Sequence, residues 1–562
     1  MKFSEMPYVR PDLEALRQAA ETAVTALDAA SSAQAQLDAY EAYEKAAATA
    51  ETMRSLCYIR HTIDTRDTFY EAEQDFFDEA GPQMEELDQQ VSRALLRSPF
   101  RAELSEALGA LLFTNLEIQV RSFDPALLPL MQEENKLASA YQKLYASAMV
   151  EFQGQTMPLP KLGPYKEHPD RAVRKAAYET EGKFFDDHQA ELDELFDKLV
   201  KNRTEQARLL GHENYLQLGY DRLGRNCYGP REVAAFRDQI ARDIVPVVAK
   251  IKADQAARLG LDALKYYDDL MLFPDGNAKP TGTPDEILAA GRQMYAHLSP
   301  ETAEFGAFLF DNELLDVLSK DGKAPGGYCT GLPDYQAPFI FSNFNGTSGD
   351  VDVLTHEAGH AFASYRAFRK GYPRKLQSPT MESCECHSMS MEFLTQDFHQ
   401  DFFGPATAKY ELGHCEDSLI FIPYGCMIDE FQTRVYENPD WTPAQRNAFW
   451  LELEKKYRPW IDFDNLPFYG RGAGWQRQLH VYLDPLYYID YCMAQTVAYQ
   501  FWLASLENRE DAWQRYLAFV DRGGTATFEE LVSGAGLKLP YAPGAMAEIG
   551  EKISRWIDEN PL

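Results

Sequence analysis

The sequence predicts a mainly α-helical protein with a small β element beside one functional helix. Three observations carry this. Residues 12–52 are rich in Ala and Glu and poor in breakers, the composition of helix. Residues 169–210 carry apolar positions at helical spacing, with Pro169-Asp170 as a start signal and Gly211 as a stop. One stretch, Ala337–Phe344 (A-P-F-I-F-S-N-F), is aromatic and β-branched between turn residues and reads as a strand.

The other elements follow in order. Residues 52–120 continue the helical pattern, with Pro82 and Pro99 as starts or interruptions. The pattern breaks at Phe123-Asp124-Pro125 and Pro129 and resumes after Glu133. Met157 to Pro164, with three prolines and a glycine, reads as loop or extended chain. The boundary between an N-terminal helical lobe (1–190) and a catalytic lobe (191–562) is placed inside the next helical tract. Residues 230–260 are helical, residues 272–284 a breaker-rich loop, and helix resumes from Asp285. A Gly-rich loop, Asp321 to Gln336, leads into the strand, and Asn345-Gly346-Thr347 turns the chain. Thr347 or Asp350 is then placed to cap the following helix. A strand in that position suits edge pairing with an extended peptide, and equally ordinary sheet pairing. Helix is expected again over 380–398, loop over 463–474, and helix from the tyrosine-dense tract at His480 to about Leu506.

Composition sets outer bounds. The chain has 562 residues, 45% of them apolar, enough for a large core. Its net charge of −32, from 87 acidic and 55 basic residues, argues against nucleic acid as a partner. The start, Met1 to Met6, lacks the apolar region of a secretory signal, and no apolar run is long enough to span a bilayer. The eight cysteines show no paired spacing and are expected to be reduced thiols of a cytoplasmic protein. Nothing here specifies or forbids an oligomer.

The chemistry centres on His356-Glu357-Ala358-Gly359-His360, an H-E-x-x-H sequence. Val351, Leu354 and Ala358 form one apolar face, so the stretch is helical. Histidines four apart project from one face and suit a single Zn²⁺, with Glu357 beside the open coordination position. A catalytic zinc takes a third protein ligand. The residues just after His360 lack the Gly and third His of metzincins. The tract Met381 to Glu392 offers Glu382, Glu385, His387 and Glu392, and spacing alone does not choose among them. Cys384 and Cys386 read as small packing residues, although a C-x-C also suits a soft metal. Arg471 and Arg477 are candidates for a peptide carboxylate, against the alternative of solvated loop charges.

These residues resemble a known family. H-E-x-G-H followed by E-x-x-S-x-x-x-E, here Glu385, Ser388 and Glu392, is similar to the thimet oligopeptidase and oligoendopeptidase F family of zinc peptidases. The tract His480 to Tyr491 is similar to its bacterial, Pz-peptidase-like branch, and the likeness covers roughly residues 130–550. The resemblance implies two helical lobes enclosing a deep substrate channel, with zinc at its floor. It implies one Zn²⁺ per chain held by His356, His360 and Glu385, with Glu392 orienting a ligand histidine. It makes Glu357 the general base and His480 a catalytic residue. The tyrosine spacing departs slightly from the thimet branch, so Tyr482, Tyr487, Tyr488 and Tyr491 all remain candidates. Tyr488 and Tyr491, three apart, are favoured for the oxyanion. Gly327, Tyr328, Phe341, Asn343 and Tyr487 are expected to contact substrate, and the Gly-rich loops at 322–331 and 470–474 to act as hinges. The implied activity is endopeptidase cleavage of short intracellular peptides. The alternatives are an exopeptidase of dipeptidyl carboxypeptidase type with the same chemistry, or a non-catalytic peptide-binding protein. The presence of Glu357 counts against the latter, since a structural metal needs no base.

Overall fold

The computed structural model describes residues 1–320, 322–324 and 326–562; Asp321 and Pro325 of the expected Gly-rich loop lie outside the described residues. Among the described residues the protein is mainly helical with two small sheets. No helix among the described residues is long and apolar enough to cross a membrane. The chain forms two compact units that interleave along the sequence, each from three segments. The first comprises Met1–Pro125, Lys279–Thr407 and Val497–Lys538; the second comprises Ala126–Ala278, Ala408–Thr496 and Leu539–Leu562. The single boundary expected after residue 190 falls inside helix Gln189–Leu209 of the second unit.

In the first unit the tract expected as one helix over 12–52 is two, Leu13–Ala29 and Ala33–Ile63. The break has a local cause. Ala30 is extended, and the Ser32 side chain accepts a hydrogen bond from Ala35 N–H, starting a new helix. Pro82 lies within helix Thr68–Leu96, whereas Pro99 does precede a new helix, Arg101–Leu108. These helices, with the next one, Ala110–Arg121, bury Leu16, Leu27, Tyr43, Leu87, Leu95 and Leu112 in one core. Leu376, from a turn far along the chain, inserts into the same core.

The sheet of this unit has three strands: β1 (Leu315–Leu318), β2 (Tyr328–Leu332) and β3 (Ala337–Phe344), in the order β1-β3-β2. β3 pairs parallel with β1 and antiparallel with β2, in the register Tyr328 opposite Phe341 and Leu332 opposite Ala337. The expected strand is therefore central, and both of its edges are occupied. Its near-continuous burial is that of a strand covered on both faces. Edge pairing with a peptide would fall to β1 or β2 instead.

β3 leads directly into helix α1 (Gly349–Lys370), against which it packs. Neither expected residue caps α1. Its N-cap is Ser348 without a side-chain bond, and Asp350 instead accepts from the Asn345 and Gly346 amides at 2.7 and 2.8 Å, fixing the turn. Gly371, at φ +70°, ends α1 in the left-handed region. The segment after it returns the chain to helix α2 (Met381–Leu394). Arg374 bonds Glu44, Glu51 and Asp88 at 3.0–3.1 Å, and Lys375 also reaches Asp88. This charge cluster fixes the α1–α2 connection to the first helices.

In the second unit, the tract at 169–210 is likewise divided, at His188, into Arg171–Asp187 and Gln189–Leu209. Helix Leu128–Ala146 starts before Glu133, with Pro129 in its first turn, where a missing N–H costs nothing. The start of the tract expected as loop or extended chain, 157–164, is extended, as the end of the second strand of a hairpin, Met149–Phe152 with Gln155–Pro158. The 463–474 loop contains the short helix Pro467–Gly470. It is packed rather than free: Gly472 has φ +81°, and Trp475 Nε1 donates to Asn447 Oδ1 at 2.9 Å.

Candidate active site

The site of the first unit lies where α1 and α2 pack together. The contact depends on Gly359. A Cβ there would lie 2.6 Å from Ser388 Cα and 2.7 Å from the His387 carbonyl oxygen, both backbone atoms. Only glycine lets the helices approach this closely. Tyr516 fixes the same carbonyl of α2, donating its hydroxyl to His387 O at 2.8 Å.

The approach brings Glu385 to the two histidines. Its Oε2 lies 3.3 Å from His356 Nε2 and 3.5 Å from His360 Nε2. The three donor groups all fall within 4.8 Å of one another and could hold a metal ion. Two ligands each about 2.1 Å from a tetrahedral zinc stand about 3.4 Å apart, so this donor set fits that ion. Glu382 is buried and bonded to Thr380 Oγ1, and thus turned to the start of its own helix. His387 is buried against Phe519, and burial pushes its pKa down to about 3. Of the four candidates left open by spacing, Glu385 alone joins the two histidines in this group.

The surrounding groups orient the set. His356 Nδ1 lies 2.6 Å from Glu392 Oε1; donating there leaves the Nε2 lone pair facing Glu385. Ser388 Oγ donates to Glu385 Oε2 at 3.1 Å. Burial opposes ionisation of Glu385, yet His360 and His356 outweigh it and hold the carboxyl well below its usual range. Burial likewise opposes protonation of His356, and Glu385 and Glu392 reverse this, raising its pKa. Glu357, only 8% exposed, is raised chiefly by burial, against the pull of the two imidazoles. Gly327 lies beside it: a Cβ on that residue would be 3.6 Å from Glu357 Oε1.

The remaining candidates of this unit are placed as follows. Tyr328 is partly exposed, stacks on Phe341 at 4.8 Å, and shares a 2.6 Å hydrogen bond with Thr62. Phe341 itself is fully buried. Asn343 donates to the carbonyls of Ala324 and Gly326 at 2.8 and 3.0 Å, so its amide supports the Gly-rich loop. The same loop is tied to Thr62 and Thr65 through Ala324 N and Gly322 O.

In the second unit a histidine and three tyrosines cluster. The ring of His480 lies 5.0 Å from Tyr488, 5.9 Å from Tyr491 and 6.0 Å from Tyr487. Its Nδ1 lies 3.0 Å from Gln478 Nε2, which in turn links to Tyr424 through Gln478 Oε1 at 3.1 Å. Tyr482 is separate: fully buried, stacked on Tyr141 at 3.9 Å, and bonded to Leu192 O. Tyr488 precedes helix Ile489–Glu507 rather than sharing it with Tyr491. The two rings meet, 5.6 Å apart, because of the turn before them. There Leu486 adopts φ +68°, rare for a bulky side chain, and is held by Gln432 at its N–H and Arg225 at its carbonyl.

With this geometry in hand, the chain can be compared with known proteins. The profile described as "Peptidase family M3" matches residues 164–271 and 303–551, more than half of the chain. The chain belongs to peptidase family M3. The profile "Peptidase M3 N-terminal domain" matches residues 3–123. Oligopeptidase PepF of Bacillus subtilis (strain 168) is 24% identical over 392 residues, 67% of this chain and 55% of that protein. The chromosomal oligoendopeptidase F of Lactococcus lactis subsp. cremoris is 23% identical over 394 residues, 67% of this chain and 62% of that protein. The chain thus spans between half and two thirds of these relatives. A solved structure titled "PZ PEPTIDASE A with inhibitor 2" shares 46% identity over 99% of both chains, with a TM-score of 0.95.

The family assignment agrees with the resemblance carried by H-E-x-G-H and the Glu385 helix. Three contributors were assigned no part in the site from the sequence. Gly359 and Ser388 lie within the quoted motifs, and Ser388, one turn from Glu385, could have been found by its i+3 spacing. Tyr516 has no local signal at all.

Proposed function

We propose that this family M3 member is a zinc-dependent endopeptidase that hydrolyses short oligopeptides in the cytoplasm. The observation that carries the reading is the approach of Glu385 Oε2 to both histidine Nε2 atoms, with the buried Glu357 on the same helix as those histidines. His356, His360 and Glu385 would hold the ion. A zinc ion so held polarises a peptide carbonyl and makes a nearby water more acidic.

Glu357 takes the proton of the attacking water at its carboxylate and returns it to the leaving nitrogen. A carboxyl whose pKa is raised by burial suits both transfers, accepting a proton more readily than an exposed glutamate does. Glu392 keeps His356 in the tautomer that presents Nε2. His480, Tyr488 and Tyr491 are assigned as hydrogen-bond donors to the oxyanion, and Gly327, Tyr328 and Tyr487 as substrate contacts.

The test joins a variant with a substrate. Wild type should cleave an oligopeptide blocked at both ends, which an exopeptidase cannot. Glu357→Gln should keep its zinc and lose about 10²- to 10⁴-fold in kcat. An unreactive blocked peptide would sink the endopeptidase reading, and wild-type turnover by Glu357→Gln would sink the assignment of the base.

A further inference from the structure

The second unit contains a half-buried arginine that meets no carboxylate at ion-pair distance among the described residues. Buried arginines elsewhere in this unit follow one rule. Arg174 meets Asp268, Arg203 meets Glu134 and Arg225 meets Asp490, each at 2.6 Å; Arg458 meets Glu454 at 2.8 Å, and Arg237 meets Asp429. Arg477 departs from it. Among the described residues no carboxylate lies within ion-pair distance of its guanidinium. Its one hydrogen bond, to Tyr266 Oη, is long at 3.4 Å, and its Nε is sealed from solvent with no partner. Glu181 acts on it electrostatically but is engaged by Lys166 Nζ at 2.6 Å and by the Tyr469 hydroxyl. The Lys166–Glu181 pair is formally neutral, and Asp269, on which Arg477 also acts, is engaged by Lys252 at 2.7 Å, so each neighbouring acid already has its own cation.

A guanidinium partly removed from bulk water loses hydration that an anion meeting it would replace. Side chains in that position are commonly completed by a ligand, and the planar fork of arginine matches a carboxylate with two parallel hydrogen bonds. Arg477 retains partial solvent access, so a ligand can reach it. Besides Glu181, the neighbouring groups are three phenols, Tyr266, Tyr424 and Tyr469. They can donate to an anion as well as accept from the arginine. Arg477 also adjoins residues assigned above. Gln478 follows it in the chain and bonds His480 Nδ1 at 3.0 Å. Arg471, the other arginine of this tract, makes the contrast, since it pairs with Asp186 at 2.7 Å.

We propose that Arg477 is a specificity-determining residue that receives a carboxylate of the peptide substrate. The proposal rests on the peptidase reading above. A free C-terminus and an acidic side chain offer the same chemistry, and the experiment separates them.

Binding is measured by calorimetry on the Glu357→Gln protein, so it does not depend on turnover. One peptide pair differs only in a free or amidated C-terminus. A second pair, blocked at both ends, differs only in Glu or Gln at one position, moved along the peptide. In one pair the carboxylate form should bind about 10- to 100-fold more tightly, the range of a charge-assisted hydrogen-bonded pair. Adding Arg477→Gln should abolish that ratio, and Arg477→Lys, which keeps charge without the fork, should restore part of it. The melting temperature adds a second readout. A structural arginine lowers it when replaced, whereas loss of a half-buried charge without an ion-pair partner should not. A ratio near one in both pairs, a ratio that survives Arg477→Gln, or a large drop in melting temperature would each overturn the proposal. Failure of wild type to hydrolyse any peptide would instead refute the peptidase reading and leave the measured ratios standing.

Discussion

Replacing Gly359 by alanine tests whether helix approach builds the site. The added Cβ would sit 2.6 Å from Ser388 Cα and 2.7 Å from His387 O. Carbon atoms rest about 3.5–4.0 Å apart, so α2 must retreat from α1 by about 1 Å. No rotamer change relieves this, because the opposing atoms are backbone. Two energies compete in the stability. Overpacking costs about 1–3 kcal/mol. Alanine in a helix interior recovers about 1 kcal/mol over glycine. The net loss is therefore small.

The metal site has no such compensation. Glu385 rides on α2, two to three residues from the collision, while both histidines ride on α1. Metal–ligand distances tolerate about 0.2 Å. A retreat of about 1 Å exceeds that several-fold, and misplacement on this scale costs about 10²-fold in activity. Gly359→Ala should therefore melt near wild type yet bind zinc weakly and turn over poorly. Chelator competition gives the affinity, and thermal melting of the metal-free forms gives the stability. Wild-type zinc affinity in a folded Gly359→Ala protein would refute the reasoning. A protein that fails to fold would show that the overpacking energy had been underestimated.

Other outcomes are expected from the same contacts. Glu392→Gln keeps a hydrogen-bond acceptor near His356 Nδ1 but removes the charge, and should weaken zinc binding or turnover about 10- to 100-fold by metal titration. Of the tyrosines, Tyr488→Phe should lower kcat more than Tyr491→Phe, because the Tyr488 ring lies nearer His480, 5.0 against 5.9 Å; the reverse order would reassign the oxyanion donor. Asp88 gives a pH dependence. Burial opposes its ionisation, but Lys375 and Arg374 prevail and its pKa is lowered in the folded state. A lowered carboxyl adds stability above its unfolded pKa, about 3.9, and that stability drains away as pH falls through the folded value. Asp88→Asn should thus cost about 1.5–3 kcal/mol near neutrality. The gap to wild type should begin to close below about pH 4 and vanish only once pH falls below the lowered folded value, and a gap unchanged by acid would exclude the ion pair as the cause.

What the sequence made legible, and what it did not, divides along one physical line. His356, Glu357 and His360 are legible because a helix of known pitch converts spacing into geometry without reference to the rest of the chain. The strand Ala337–Phe344 is legible for the same reason: its composition and bounding turns are local. Its place in the sheet is not, because β1 is only four residues long and β2 lies in the glycine-rich stretch expected to be loop. Both strands exist by pairing with β3, which no local pattern announces. Likewise the helix breaks at Ser32 and His188 are small local events inside tracts whose composition favours helix throughout. The third ligand shows the line most sharply. Spacing left Glu382, Glu385, His387 and Glu392 equal, and the resemblance to a family, not periodicity, singled out Glu385. The structure supplies the physical reason. A helix offers each of those side chains in turn, and which one meets α1 is set by the position of the closest backbone contact. That contact is between Gly359 and residues 387–388, and it is held by Tyr516, 129 residues on from the carbonyl it grips. Such an arrangement depends on the rotation of one helix against another. A glycine inside H-E-x-G-H records that the approach is close, but not which residue of the partner helix it admits.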